Sequence, residues 1–377
     1  MFLTILIVFF SLIGLLVLHE LGHFIVAKKF GVPVEEFGIG YPPRIFGKKI
    51  GQTIYSINLL PFGAFVRIKG EEGRTEIEDE KAFYNKPIFQ RVLIILGGVI
   101  SFWIIAFLIF SFLAFSFGIP SIAENNSAIN SSAQVQIIGI SQDSPADIVD
   151  IEAGDIILDI SLTQIPLKAG LDEQENQNLT VKTISSVEQV QKFIQENKGQ
   201  KIVLTLKRGA DIFEKELLPR VSPPEGEGAM GVALVATVLK RYPLHQAFWQ
   251  GALITYRQTI TIPTALFDAL KRKAQGEKVE DLQFVGPIGI GQIMGQALNA
   301  GAGNFLILVA MISIWLAIFN LLPIPALDGG KLLFLAIEKV KGRPVNQKIE
   351  QNITVFFFLA LIALMIFVTI KDIVRLF

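Results

Sequence analysis

Four stretches of this 377-residue chain are long and almost free of charge, and they limit what it can become. Residues 2–18 carry no charge, and the apolar run continues past His19 and Glu20 to Ala27. Residues 92–123 and 303–327 are also uncharged, and a fourth run covers 353–370. Each is close to the ~20 residues a helix needs to cross a ~30 Å hydrocarbon layer. The first run lacks the basic start and small-residue cleavage site of a signal peptide, so it is expected to remain as a span. Overall 51% of residues are hydrophobic and 18% charged, where a soluble domain carries about a quarter charged. The pattern predicts a polytopic α-helical membrane protein with about four transmembrane helices, set in a lipid bilayer.

Charge and cysteine usage exclude several functions. The net charge is zero, which leaves no footprint for nucleic acid. The chain has no cysteine, so disulfides, thiolate-bound zinc and a thiol nucleophile are all ruled out. Basic residues favour the cytoplasm. Lys28, Lys29, Arg44, Lys48 and Lys49 follow the first run, and Lys331, Lys339, Lys341, Arg343 and Lys348 follow the third. No Lys or Arg lies between Arg91 and Lys168. Spans one and three are therefore expected to end on the cytoplasmic side; Lys371 and Arg375 oppose this but are outnumbered.

The expected organisation is a first span over 1–30, a cytoplasmic loop over 31–91, and a second span over 92–118. An extracytoplasmic domain follows over 119–230, and an interfacial segment over 231–302. A third span covers 303–330, a cytoplasmic loop 331–352, and a fourth span 353–377. In the first loop, Thr53–Ile68 is β-branched and aromatic, with Pro61 and Gly63 as a turn signal, so a β-hairpin is expected. It reads equally as a small cytoplasmic hairpin or as a membrane-associated sheet edge beside the site. Val135–Ile140, Ile156–Ile160 and Ile202–Lys207 read as strands, Val187–Asn197 as an amphipathic helix, and Lys168–Leu179 as a surface loop. Residues 244–273 are apolar but interrupted by Arg257, Asp268 and Lys271–Lys273, which suits a helix lying in the interface. A glycine-rich approach, Gly286–Gly303, leads to span three.

The strongest local signal is His19-Glu20-Leu21-Gly22-His23. Residues four apart share a helix face, so both imidazoles can reach one metal ion, with Glu20 as general base between them. Ionisable groups in a span are costly and rarely accidental. A catalytic zinc takes three protein ligands and an open position. The one other histidine, His245, falls in the interfacial segment. Asp328 is the sole acid between Asp281 and Glu338, at the end of the third span. It reads as an ordinary interfacial Asp with Gly329-Gly330 as a helix stop, or as the third ligand; the incomplete metal site favours the second.

These residues, with Asn320-Leu-Leu-Pro323-Ile-Pro325-Ala-Leu-Asp328-Gly329-Gly330, resemble the site-2 protease family of intramembrane zinc metalloproteases. The two motifs stand about 300 residues apart. The resemblance implies Zn2+ held by His19, His23 and Asp328, Glu20 as catalytic base, and Asn320 holding the substrate backbone. Gly38-Ile39-Gly40 with the Thr53–Ile68 hairpin resembles the family's membrane-dipping β element, although Pro42 stands where a further glycine is frequent. Leu96-Gly97-Gly98 resembles a glycine motif opening span two, with Val99 and Phe102 in place of the usual Pro and Asn. Val285-Gly286-Pro287-Ile288-Gly289 resembles a segment ahead of span three.

Ser144-Pro145-Ala146 with Glu152-Ala153-Gly154-Asp155-Ile156-Ile157 is similar to a PDZ signature, so the insert is expected to be one α+β PDZ-like domain. It would either bind a peptide ligand by strand addition along Gln136–Ile140 or filter substrates by size. The implied activity is hydrolysis within the transmembrane segments of single-span membrane proteins or signal peptides. The unwound substrate would pair with an edge around Tyr55–Leu60, through Tyr55, Ser56, Ile57 and Asn58. The implied location is a bacterial inner membrane, with the site toward the cytoplasm and the PDZ-like domain outside. A proteolytically inactive PDZ scaffold is the alternative, which an intact Glu20 opposes. A metal transporter is a third reading, opposed by the single cluster of ligands.

Overall fold

The computed structural model describes residues 2–71, 79–122, 134–141, 143–162, 180–182, 184, 186–209, 211–224, 227–275, 286–299 and 301–376. The expected loop at 168–179 and Val285 lie outside these residues. The chain divides into two units: one formed by Met1–Phe112, His245–Leu298 and Ala302–Phe377, the other by Leu113–Leu244 with Asn299–Gly301.

The four expected spans appear as α1 (Phe2–Lys29), α2 (Ile88–Ser116), α7 (Ala302–Asn320) and α9 (Gln347–Leu376). Among the described residues these four helices are long and apolar enough to cross a membrane. The chain is thus a multi-pass membrane protein. Val8, Leu15, Val99, Phe102, Met294, Phe305, Val309 and Ala317 pack α1, α2, α6 (Pro287–Asn299) and α7 into one apolar cluster. A second cluster joins the end of α1 to α2 and α8 (Asp328–Lys341) through Ala27, Ile94, Ile95 and Leu335.

Two boundaries differ from expectation. The third span stops at Asn320, and Asp328 opens a new helix rather than ending the old one. Pro323 and Pro325 prevent the helix from continuing, and the turn closes through Ile324 N–H to Leu322 O (2.7 Å) and Leu327 N–H to Ile324 O (2.8 Å). The last helix starts early, at Gln347, so polar residues form its first turns. The segment expected at the interface is α5 (Leu244–Ala274), which is not one of the four candidate spans. Its small residues Ala247, Gly251 and Thr255 form a stripe that is buried, with Gly251 tight against Ser111 of α2.

The β element is larger than a simple hairpin. β1 (Val34–Ile50) and β2 (Thr53–Ile68) turn at Gly51-Gln52, and each folds back along the other. Residues 46–50 pair with 53–57 in opposite directions, as do 36–39 with 64–67. Residues 36–39 also align with 54–57 in the same direction, from Glu36↔Ile54 to Ile39↔Ile57. The resulting order is 44–50, 53–58, 34–40, 64–68. A buried polar network fixes it: Glu36 accepts from Arg44 (2.7 Å), Ser56 (2.7 Å) and Arg67 (3.5 Å), and Asn58 donates to Gly40 O (3.1 Å).

The second unit carries a seven-stranded sheet. Its strands are β3 (Ile119–Ile122), β4 (Gln134–Ile140), β5 (Ile156–Leu162), β6 (Thr180–Lys182), β7 (Ile202–Arg208), β8 (Asp211–Leu217) and β9 (Val232–Lys240). The order is β3-β9-β4-β5-β7-β8, with β6 on β5. Helices α3 (Pro145–Ile148) and α4 (Val187–Glu196) complete it, with Val190 and Phe193 of α4 in the core. Because β9 lies inside this sheet, residues 231–243 belong with the insert and not with the approach segment. β4 pairs with β9 along its length and with β5 at Val135–Gln136.

Candidate metal centre

The site begins with the helical period of α1. His19 and His23, one turn apart, are both buried, at 8% and 7% exposure. Asp328, in the first turn of α8, is buried to 7% and joins them. The Asp328 Oδ2 atom lies 3.4 Å from His19 Nε2 and 3.3 Å from His23 Nε2, and the two Nε2 atoms are 3.3 Å apart. Ligands at about 2.0–2.1 Å around a tetrahedral ion stand about 3.3–3.4 Å from one another. The three atoms therefore form one face of such a tetrahedron, with the fourth corner open. His19 Nδ1 and Asp328 Oδ2 are buried with no hydrogen-bond partner among the described residues. Buried polar atoms are costly when unpaired, and a cation would satisfy the carboxylate oxygen. The donor set fits a metal ion.

Surrounding groups orient these donors. His23 Nδ1 is 2.9 Å from Ile94 O; donating there places the proton on Nδ1 and leaves Nε2 free to bind an ion. The His19 ring stacks on Phe102, with centroids 4.7 Å apart and planes 15° apart. The glycines of α2 make this approach feasible. A Cβ on Gly98 would overlap the His23 ring, and one on Gly22 would overlap the Gly97 carbonyl. Small residues allow two membrane helices to pack backbone to backbone, which explains Gly97-Gly98. Phe102, which the sequence marks only as a departure from pattern, is the residue under His19.

Gly329 and Gly330 serve a helix start, not a stop. A Cβ on either would overlap the backbone of Leu321–Leu322 or of Ile324-Pro325, so they admit the preceding turn against α8. Glu20 follows His19 and is half-buried. The β element comes near it: Tyr41 and Leu16 both lie against Gly63. Burial, followed by the nearby Glu20 carboxylate, pushes the Tyr41 phenol above its ordinary range.

The remaining candidates are arranged differently. Asn320 closes α7 and donates to Leu316 O at 2.9 Å. Tyr55 packs by Phe24, one residue past His23, with centroids 6.0 Å apart. Ser56 and Asn58 are buried and spend their side chains inside the sheet. Residues 54–57 have neighbours on both sides, so the free edge expected at Tyr55–Leu60 is absent there. A turn at Gly51-Gln52, not at Pro61–Gly63, is the physical reason. The outer segment is 44–50.

Comparison with known proteins matches the same features. The sequence model of peptidase family M50 matches residues 7–364. A Clostridium perfringens protein whose name proposes a zinc metalloprotease is 33% identical over 361 residues, covering 96% of each chain. A Nostoc protein named in the same way is 28% identical over 361 residues, covering 95% of this chain and 92% of its own. The regulator of sigma-W protease RasP of Bacillus subtilis is 28% identical over 431 aligned residues, covering 100% of each.

Proposed function

Since the chain belongs to peptidase family M50, we propose that it is a zinc metalloendopeptidase that cuts the transmembrane segments of single-span membrane proteins or signal peptides. His19, His23 and Asp328 hold Zn2+, and the observation that carries this is the triangle of donor atoms with 3.3, 3.3 and 3.4 Å sides. The ion, when bound, polarises water and the substrate carbonyl. Glu20, adjacent to His19 on α1, accepts the proton of the attacking water and returns it to the leaving amine. His23 keeps its Nε2 lone pair turned inward because Ile94 O takes the Nδ1 proton.

The substrate must be unwound to expose its carbonyls. The outer segment 44–50 then offers backbone groups for strand addition, in place of Tyr55, Ser56, Ile57 and Asn58, whose part is to support that strand from behind. Asn320 turns from Leu316 O to hold the substrate backbone. The distribution of Lys and Arg supports a cytoplasmic-side site in a bacterial inner membrane, with residues 119–240 outside. That insert acts as a PDZ-like domain, and its peptide edge runs along Gln136–Ile140 of β4, where among the described residues β5 pairs no further than Gln136. It serves regulated intramembrane proteolysis by filtering or binding substrates.

Glu20→Gln in the full-length protein tests the reading. Zinc should remain near one per chain while cleavage of a single-span substrate falls by about 10²–10⁴-fold. Cleavage at the parent rate would remove Glu20 from the mechanism.

A further inference from the structure

α8 meets the rest of its unit along one face. Asp328, Lys331, Leu335 and Glu338 follow each other at spacings of three, four and three, which keeps them on one side of a helix. Asp328 faces the histidines. Leu335 enters the apolar cluster with Ile94 and Ile95. Glu338 takes two hydrogen bonds from the buried Arg91 of α2, at 3.0 and 2.6 Å. Lys331 Nζ lies 2.6 Å from Glu71 Oε1. Three contacts thus join α8 to α1 and α2, and the fourth joins it to the exit of β2.

The exit is also tied down locally. Lys69 N–H donates to Pro33 O and Phe83 N–H to Lys69 O, both at 2.9 Å, and Lys69 Nζ reaches Asp79 at 2.7 Å. These bonds hold the chain to the base of the sheet. Among the described residues the Glu71 pair is the polar link from this exit to the helix bearing Asp328, one turn past that residue, beside the apolar cluster that Ile68 and Phe83 share with Leu335. The segment 64–68 continues through 34–40 and 53–58 to the outer segment 44–50, so the exit sets where the outer strand lies.

We propose that Glu71 and Lys331 form a positioning pair that holds the β element, and the substrate strand docked on it, in register with the metal centre. The proposal rests on the reading of segment 44–50 as the docking strand. α8 is already oriented by Leu335 and Arg91–Glu338, so the pair positions the sheet and not Asp328. A rival role for Lys331 is its positive charge, which acts electrostatically on Glu20, His23 and Asp328.

Full-length enzyme loaded with zinc, acting on a fluorescently labelled single-span test protein, separates these roles. Glu71→Gln and Lys331→Met should each raise KM about tenfold, a modest cost for misplaced substrate, with kcat and zinc content close to the parent. The double variant should be no worse than either single, because a pair acts as one unit. Lys331→Arg should behave like the parent. If Lys331→Met is impaired while Glu71→Gln matches the parent, the lysine works through its charge and the proposal falls. Additive losses, or zinc lost along with activity, overturn it as well. A parent that does not cut the test protein overturns the proposed function beneath it, which is a different result from a cutting parent with unchanged variants.

Discussion

Gly98 of α2 stands so close to His23 of α1 that a methyl group there would overlap the imidazole ring. The metal centre therefore depends on a residue that contributes no donor. Gly98→Ala should push His23 off Ile94 O and lower zinc affinity by about 10- to 100-fold. Competitive chelation of the purified variant reads this directly. Parent-like affinity would mean that the ring has room to move.

Removing a donor should act more severely. His19→Ala, His23→Ala and Asp328→Ala should each leave well under one zinc per chain, measured by metal analysis of the full-length protein. Asp328→Ala binding and cutting like the parent would show that the triangle is not the ligand set.

The outer strand makes a contrasting pair of variants. Adjacent backbone N–H groups in an antiparallel ladder point to opposite edges, and proline has none to give. Of Gly47→Pro and Lys48→Pro, one should lose cleavage with zinc retained, and the other should chiefly weaken pairing with residues 55–56. Ile57→Pro, inside the sheet, should disrupt it. Normal cleavage by both outer variants would exclude 44–50 as the docking strand.

Orientation is checked by labelling, since the chain has no cysteine of its own. Single cysteines at Gln195 and Lys341 should react with an impermeant reagent from opposite sides of the membrane. Labelling from one side would undo the four-span arrangement.

In the insert, Asp155 is buried to 1% and receives Arg208 through Nε and Nη2, both at 2.7 Å. Arg208→Met leaves that carboxylate with the Glu152 N–H alone, at 3.0 Å, and should destabilise the domain by about 1–3 kcal/mol. Hydrogen exchange at β5 and β7 in the full-length protein measures the loss. Protection equal to the parent's would mean that Asp155 finds water instead.

Much of the centre was legible because its signals are local or rare. His19, Glu20 and His23 lie within one helical turn, and Asp328 is the lone acid in a long apolar region. The break after Asn320 was obscured because Leu321, Leu322, Ile324 and Leu327 continue the apolar run, although Pro323 and Pro325 stop the helix. The β element misled for another reason: Pro61 and Gly63 carry stronger turn chemistry than Gly51-Gln52, so its true turn and its doubled register stayed hidden. Contacts such as Arg91 with Glu338 and Glu71 with Lys331 have no local pattern. They join residues 247 and 260 positions apart, and only the packed helices bring them together.

The wide separation of the donors also governs when the centre can exist. A chain is made from its N-terminus, so α1 enters the bilayer with two histidines and their neighbouring glutamate long before α8 is synthesised. Two imidazoles on one helix form only an edge of the coordination figure. The third corner arrives about 300 residues later, after the insert has had time to fold. A half-made chain, or one truncated before Asp328, therefore carries the proposed base and most of the scaffold yet no complete centre. In the proposed mechanism, the order of synthesis thus keeps a nascent chain inert among the membrane proteins being inserted beside it.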